Sequence, residues 1–216
     1  MPGKKMDPRD VVKAGYDAIA SEYLASRNAD SPDVRLLQEL VQRLPKGARV
    51  LDAGCGAGVP VAQILSQHFD VIGVDFSEAQ IALARRLVPQ AQFVCQDITA
   101  LQFPDRSFDA ICSYYAIIHI PRQEHRRLLH NLRRMLKPAG LALLCMGAGD
   151  APGDYEDNFQ GTRMYWSHYD VDTNLQMLQE CGLQIIWSRF IEDPDGSGGA
   201  HLFVLAEKAE QPKGAG

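Results

Sequence analysis

No C-x-x-C pair occurs among the five cysteines, and their number is odd. Cys55, Cys95, Cys112, Cys145 and Cys181 are widely spaced, which argues against a disulfide scaffold and against a structural zinc site. Most sit among apolar neighbours and read as small buried hydrophobes. The histidines and carboxylates lack ligand spacing, so no metal is expected. There is no long basic run, and the net charge is −5. Nucleic-acid binding needs a basic patch to neutralise phosphates, so no nucleic-acid partner is expected. No stretch approaches the ~20 apolar residues of a membrane span. The opening residues carry charge but no apolar h-region. The expectation is therefore no membrane partner and a cytoplasmic location. Repeats and low-complexity blocks are also missing.

What is present is an ordinary globular composition: 216 residues, 46% hydrophobic and 23% charged, enough for one large domain with a real core. The chain is organised around Val50-Leu51-Asp52-Ala53-Gly54-Cys55-Gly56-Ala57-Gly58. An apolar strand runs here into a turn with glycine at every second position. A dinucleotide fingerprint would read G-x-G-x-x-G. Here the third glycine comes one residue early, with Val59 in the expected slot.

Asp7 and Pro8 look like the cap and first residue of a helix. Along it Tyr16, Tyr23 and Arg27 fall on nearly one face, either as packing or as a lid over the glycine turn. A second helix follows Ser31-Pro32. Strands then alternate with helices: a strand at 48–52, a helix at 58–68, a strand at 71–75, a helix opened by Ser77 and Gln80, strands at 91–95 and 108–113, a charged helix at 121–135, a turn at 137–140 and a strand at 141–146. Residues 147–169 are aromatic-rich without a period and read as a long functional loop. A helix at 170–181 and two strands joined by a glycine loop at 193–199 complete the pattern. The expected fold is α/β: a single Rossmann-like, doubly wound, seven-stranded sheet. It is mostly parallel, with an antiparallel C-terminal edge strand and an N-terminal helical cap. One domain over 1–208 is expected, with the cap at 7–45, the binding core at 46–208 including a substrate loop at 147–169, and a flexible tail at 209–216.

The first four strands end at or lead into Asp52, Asp75, Asp97 and Ser113, which such sheets gather at one crevice. A carboxylate at Asp52 suits a ligand with both an ammonium and a carboxylate better than a pyrophosphate. Asp75 occupies the ribose position, and Asp97 with Ile98 can meet an exocyclic amine. Together they describe an amino-acid-substituted adenosine.

At this point the chain resembles the class I S-adenosylmethionine-dependent methyltransferases of the small-molecule type. Residues 50–58 are similar to motif I, and Gly73-Val74-Asp75-Phe76-Ser77 to motif II. Cys95-Gln96-Asp97-Ile98 is similar to the adenine loop, Phe108–Ser113 to motif IV, and Leu136–Gly140 to the turn before strand five. The resemblance implies S-adenosyl-L-methionine as cofactor and S-adenosyl-L-homocysteine as product. It implies a cofactor set of Tyr16, Tyr23, Arg27, Asp52, Gly54, Gly56, Asp75, Phe76, Ser77, Gln80, Asp97, Ile98 and Ser113. It also favours the lid reading of the tyrosine helix. A methyl group would pass by in-line displacement to an O, N or S nucleophile of a small molecule.

His119, after the fourth strand, and His168, in the aromatic segment, are the candidate catalytic bases. Tyr114, Tyr165, Trp166, Tyr169 and His201 are candidate substrate contacts. His125 and His130, on the charged helix, are expected to be solvated. A monomer or homodimer is expected. Two other functions stay open: a nicotinamide-dependent oxidoreductase, and a non-catalytic protein that binds the cofactor as a regulator.

Overall fold

In chain order the strands of the sheet are β1 (Arg49–Ala53), β2 (Asp70–Asp75), β3 (Gln92–Cys95), β4 (Phe108–Ser113) and β5 (Leu136–Gly147). A separate hairpin follows, β6 (Ala151–Phe159) and β7 (Thr162–His168), and then β8 (Leu183–Glu192) and β9 (Ala200–Lys208). This computed structural model describes residues 6–193 and 199–209. The seven-stranded sheet has the order β3-β2-β1-β4-β5-β9-β8. β1, β2, β3, β4 and β5 pair in parallel, whereas β9 is antiparallel to both β5 and β8. The antiparallel C-terminal strand thus lies one place in from the edge, wedged between β5 and β8.

Alternation along the strands explains why helices cover both faces. Leu51, Ile111 and Leu144 join a core with Leu128, Leu129 and Leu132 of α7 (His125–Met135) and Leu178 of α8 (Val171–Glu180). Their neighbours Val50, Ala110 and Leu143 pack oppositely. There they meet Leu40 of α4 (Gln38–Arg43), Leu65 of α5 (Val61–Leu65) and Ile81 of α6 (Glu78–Leu87). Successive strand residues point to opposite faces, so a continuous apolar run feeds two cores.

The N-terminal region folds as expected and then breaks. α1 (Pro8–Ala18) is capped by Asp7, whose side chain accepts from the Arg9 amide at 2.9 Å. The single expected helix is divided at Ile19, and α2 (Ala20–Ser26) continues. The break brings the Tyr16 and Tyr23 rings together edge to face, 5.1 Å apart. α3 (Pro32–Arg35) precedes α4. Asp17 ties α1 to the core, accepting from the Ser77 hydroxyl at 2.6 Å and the Ala79 amide at 3.2 Å.

Three expectations need correction. The helix expected at 58–68 is the five-residue α5, flanked by turns. The turn expected at 137–140 is a bulge inside β5: Leu136 pairs with Phe108 and Leu141 with Ala110, while Ala139 takes φ 56°. The aromatic stretch within 147–169, expected as a loop, is mostly the β6–β7 hairpin. Gln160 (φ 49°) and Gly161 (φ 89°) form its two-residue turn, both in the left-handed region that such a turn requires. Two register irregularities in this hairpin broke the alternation that would have announced it. Of the expected glycine loop and flexible tail, residues 194–198 and 210–216 lie outside the described residues.

The cap holds one buried ion pair. Asp33 is fully buried, the Arg27 side chain is 10% exposed, and they meet at 2.9 Å. Replacing Asp33 with alanine leaves the guanidinium buried without its partner, which costs about 3–5 kcal/mol. Urea denaturation should show that loss; a variant as stable as the parent would mean that the pair contributes nothing.

Candidate active site

The strand order reverses between β1 and β4, whose outer neighbours are β2 and β5. Ligands of open α/β sheets sit outside the carboxyl ends of the strands at such a point. A cleft of about 640 Å³ opens there, walled by Arg9, Tyr16, Asp75, Phe76, Asp97 and Ile98 among others. A second pocket of about 530 Å³ lies beside it, with Arg27, Phe159, Trp166 and His201 in its wall. A third, of about 410 Å³, is bounded by Arg27, Asp52, Gly54 and Gly56. Tyr23 and Tyr115 line all three, so they stand at the junction.

The glycine turn has three left-handed residues, Gly54 (φ 84°), Gly56 (φ 51°) and Gly58 (φ 73°). At Gly54 a side chain is also excluded by space, because a Cβ would come within 2.1 Å of Ala116 Cβ. Four of the turn's amides are engaged within the protein. Gly54 and Cys55 donate to the Val74 carbonyl at 2.7 and 3.0 Å, and Gly58 donates to Cys55. The Gly56 amide donates to Asp75 Oδ2 at 3.0 Å. A ligand's negative end is therefore left to side chains, of which Arg27 is the cation in the third pocket.

Asp52 is 1% exposed, and its Oδ2 has no hydrogen-bond partner. Burial, with the neighbouring Asp75 adding to it, pushes its carboxyl up to about 7. Asp75 is also raised by burial, partly offset by the amides of Ser77 and Gly56. Gln80, 1% exposed and in the wall of the first cleft, has both amide atoms unpartnered. Orphaned buried polar groups cost free energy, and a site that awaits a polar ligand is one reason for them. Asp97 accepts from the Thr99 amide at 2.7 Å and pairs with Arg9 at 3.2 Å.

His119 is buried, and both its nitrogens are engaged. A carbonyl oxygen can only accept, so Nδ1 carries the hydrogen donated to Tyr165 O at 2.8 Å. Nε2 then accepts from the Tyr16 hydroxyl at 2.9 Å. Burial pushes this imidazole down to about 4, so the ring is neutral at ordinary pH. As a base it reaches a ligand only through the Tyr16 hydroxyl. His168 lines neither the cleft nor either pocket; its Nδ1 donates to Gly149 O at 2.7 Å, and its ring covers Gly147. His125 is fully buried rather than solvated, donating from Nε2 to Ile120 O at 2.9 Å.

The other sequence-derived residues divide. Tyr16, Tyr23, Gly54, Gly56, Asp75, Phe76, Gln80, Asp97, Ile98 and Tyr114 line the first cleft. Ser77 and Ser113 are fully buried outside it, Ser77 bonded to Asp17 and Ser113 to the Ala53 carbonyl. Trp166 and His201 reach the second pocket, but Tyr165 and Tyr169 do not. Tyr165 packs against Tyr155, and Tyr169 lies under the Arg122 guanidinium. Tyr115 was missed. Of the two adjacent tyrosines, only Tyr114 was named as a candidate. Tyr114 turns its hydroxyl to the Asp33 carbonyl, while Tyr115, at φ 54°, swings into the junction with its own hydroxyl unpartnered. Arg9 was also missed, because only the folded cap brings it to Asp97.

Residues 50–140 match the family model described as a methyltransferase domain. The demethylmenaquinone methyltransferase of Renibacterium salmoninarum is 31% identical over 146 residues, covering 65% of this chain and 60% of that protein. The trans-aconitate 2-methyltransferase of Variovorax paradoxus is 36% identical over 125 residues, covering 56% and 47%. The chain thus spans about half the length of these curated relatives. Among solved structures, the 1,6-didemethyltoxoflavin-N1-methyltransferase of Burkholderia thailandensis shares the fold at a TM-score of 0.66 and 20% identity, over 97% of this chain and 94% of that one. That structure holds S-adenosylhomocysteine and 1,6-didemethyltoxoflavin.

The raised Asp52 carboxyl has a consequence for stability. An acid whose folded pKa lies above its unfolded one makes the unfolded state bind fewer protons between the two values. Stability therefore falls as pH rises from 3.8 to about 7, and the penalty is fully present above that. It amounts to at most about 4 kcal/mol. Asp52→Asn should raise the melting temperature of the ligand-free protein at pH 8 and do little at pH 4. An equal effect at both would contradict the buried ionisation.

Proposed function

We propose, from the match of residues 50–140 to a methyltransferase-domain model, that this protein is a class I S-adenosylmethionine-dependent methyltransferase that moves a methyl group to an O, N or S nucleophile of a small molecule. The observation that carries this reading is the pairing of opposite charges at the third pocket. Asp52, with its unpartnered oxygen, and Arg27 line one space beside Gly54. That is a fit for an α-amino acid end, with Asp52 toward the ammonium and Arg27 and Tyr23 toward the carboxylate. The adjoining cleft supplies the rest: Asp75 for ribose hydroxyls, Phe76 along the adenine, and Asp97 and Ile98 at its edge. Gln80, with both polar atoms free, adds a further donor and acceptor.

S-adenosylmethionine, when bound, supplies a methyl already activated by its sulfonium. What remains for the chain is to hold an acceptor close and in line and to exclude water. Tyr16, Tyr23 and Tyr115 stand where the cofactor cleft meets the second pocket and form that boundary. The cap supports this closure, since Asp17 fastens α1 to the start of α6 and Arg9 reaches Asp97. The two curated relatives named above are methyltransferases of small acceptors; a tRNA methyltransferase of Xenopus tropicalis is also 33% identical over 142 residues, and the net charge of −5 is what favours a small acceptor over nucleic acid here. No helix among the described residues is long and apolar enough to cross a membrane. We take the protein to act in the cytoplasm as a monomer or homodimer. A nicotinamide site is disfavoured, because the Asp52 carboxylate beside the turn suits a cation better than a pyrophosphate.

Calorimetry with S-adenosylhomocysteine and, separately, with NADH tests the reading. The first should bind and the second should not; the reverse would overturn it. Asp75→Ala should weaken S-adenosylhomocysteine binding by roughly 1.5–3 kcal/mol, the worth of hydrogen bonds to a charged group. Unchanged affinity would remove Asp75 from the ribose position.

A further inference from the structure

The second pocket contains a base that the cofactor reading does not use. His201 opens β9, and Asp193 lies just beyond the end of β8, where its amide donates to the Gly199 carbonyl at 2.9 Å. The two side chains, each 16% exposed, meet through His201 Nδ1 and Asp193 Oδ1 at 2.5 Å. A carboxylate can only accept, so Nδ1 carries the hydrogen, and it is Nε2 that is left to exchange a proton with a ligand. No bond occupies Nε2 among the described residues. The ring stands edge-on to Tyr115 at 5.1 Å, beside the junction with the cofactor cleft. His119 is the other imidazole in this pocket, and its nitrogens are both engaged.

The rest of the wall describes the acceptor. Tyr16, Tyr115, Phe159 and Trp166 present aromatic rings, and Ile118 adds an apolar side chain. The charged side chains already have partners in the protein: Arg27 pairs with Asp33 and lies 4.9 Å over the Tyr115 ring, and Asp193 accepts from His201. A pocket of flat rings whose charged groups are already bonded suits a neutral, planar ligand. The Tyr115 hydroxyl, buried and unpartnered, remains for a second polar group on it.

We propose that His201 is the general base for a neutral, planar, hydroxyl-bearing acceptor, a phenol or an enol, held in the second pocket, and that Asp193 is its positioning residue. This rests on the methyltransferase reading. The acceptor O–H bond breaks, its proton passes to His201 Nε2, and the electron pair stays on oxygen as the nucleophile. The imidazolium so formed faces the Asp193 carboxylate and returns its proton to solvent when product leaves. Asp193 fixes the tautomer that leaves Nε2 free, as the carboxylate does in other histidine–carboxylate pairs.

The test uses the full chain saturated with S-adenosylhomocysteine and 4-nitrophenol as probe, at a pH where the free phenol is mostly protonated. Bound probe should absorb as the phenolate, and His201 should register as protonated by nitrogen-15 NMR. Both signals should vanish in His201→Gln. Asp193→Asn should shift the His201 tautomer in the same spectra and weaken the phenolate signal. Methylation of unsubstituted phenol should fall roughly 10²–10⁴-fold in His201→Gln, the usual worth of a general base. The more acidic nitrophenol should lose far less. Failure of S-adenosylhomocysteine to bind would overturn the methyltransferase reading. If it binds while 4-nitrophenol stays protonated, or does not bind at all, the base and acceptor class proposed here are wrong. A His201→Gln protein that keeps the phenolate signal would likewise reject the base.

Discussion

A buried carboxylate, bonded among the described residues only by the Cys112 thiol at 3.6 Å, is the constraint around which the rest is arranged. Asp52 ends β1 at the reversal of strand order, fully enclosed, with one oxygen unbonded and a second acid, Asp75, nearby. Neither acid can be moved toward water, because β1 and β2 are interior strands whose register pairs Asp52 with Gly73. The two apolar cores on either face of the sheet supply the stability that tolerates this. A cation in the third pocket would offset that cost. The glycine turn serves the same end: its amides close on Val74, Cys55 and Asp75, which makes it a rigid floor for the site.

Around that floor the N-terminal cap acts as a wall as well as a cover. Arg27 is held by Asp33 and stacked on Tyr115, so the cation of the third pocket is fixed in position before any ligand arrives. Tyr16 couples the same helix to His119, and through it to the carbonyl of Tyr165 in the hairpin. Cap, sheet and hairpin thus meet in one chain of hydrogen bonds at the boundary between the cofactor cleft and the second pocket.

Much of this was legible in the sequence, for local reasons. The alternation of strands and helices, the left-handed glycines and the acids at strand ends depend on residues close together in the chain, and each was found in place. What was not legible depends on distant contacts. The roles of His119 and His168 separate only once the hairpin folds, because Tyr165 engages one ring and Gly149 the other. Tyr115 is distinguished from Tyr114 by a single left-handed residue that no pattern announces. The hairpin itself was hidden by two register irregularities and by a Gln-Gly turn, a weaker signal than Asn-Gly. The pairing of Asp193 with His201 follows from the β8–β9 register, which sets Ile191 opposite His201 and Glu192 opposite Ala200.

The central claim is that Asp52 awaits the ammonium of an amino-acid-bearing nucleoside. Its carboxyl is raised to about 7 when alone, so below that pH it is largely protonated. An ammonium beside it favours the charged form, and binding must then expel a proton. Calorimetric titration of S-adenosylhomocysteine at pH 6.5, in two buffers of different ionisation enthalpy, measures that release directly. A fraction of a proton should be released by the parent protein and none by Asp52→Asn. Binding that releases no proton, or releases as much from the variant, would contradict the account.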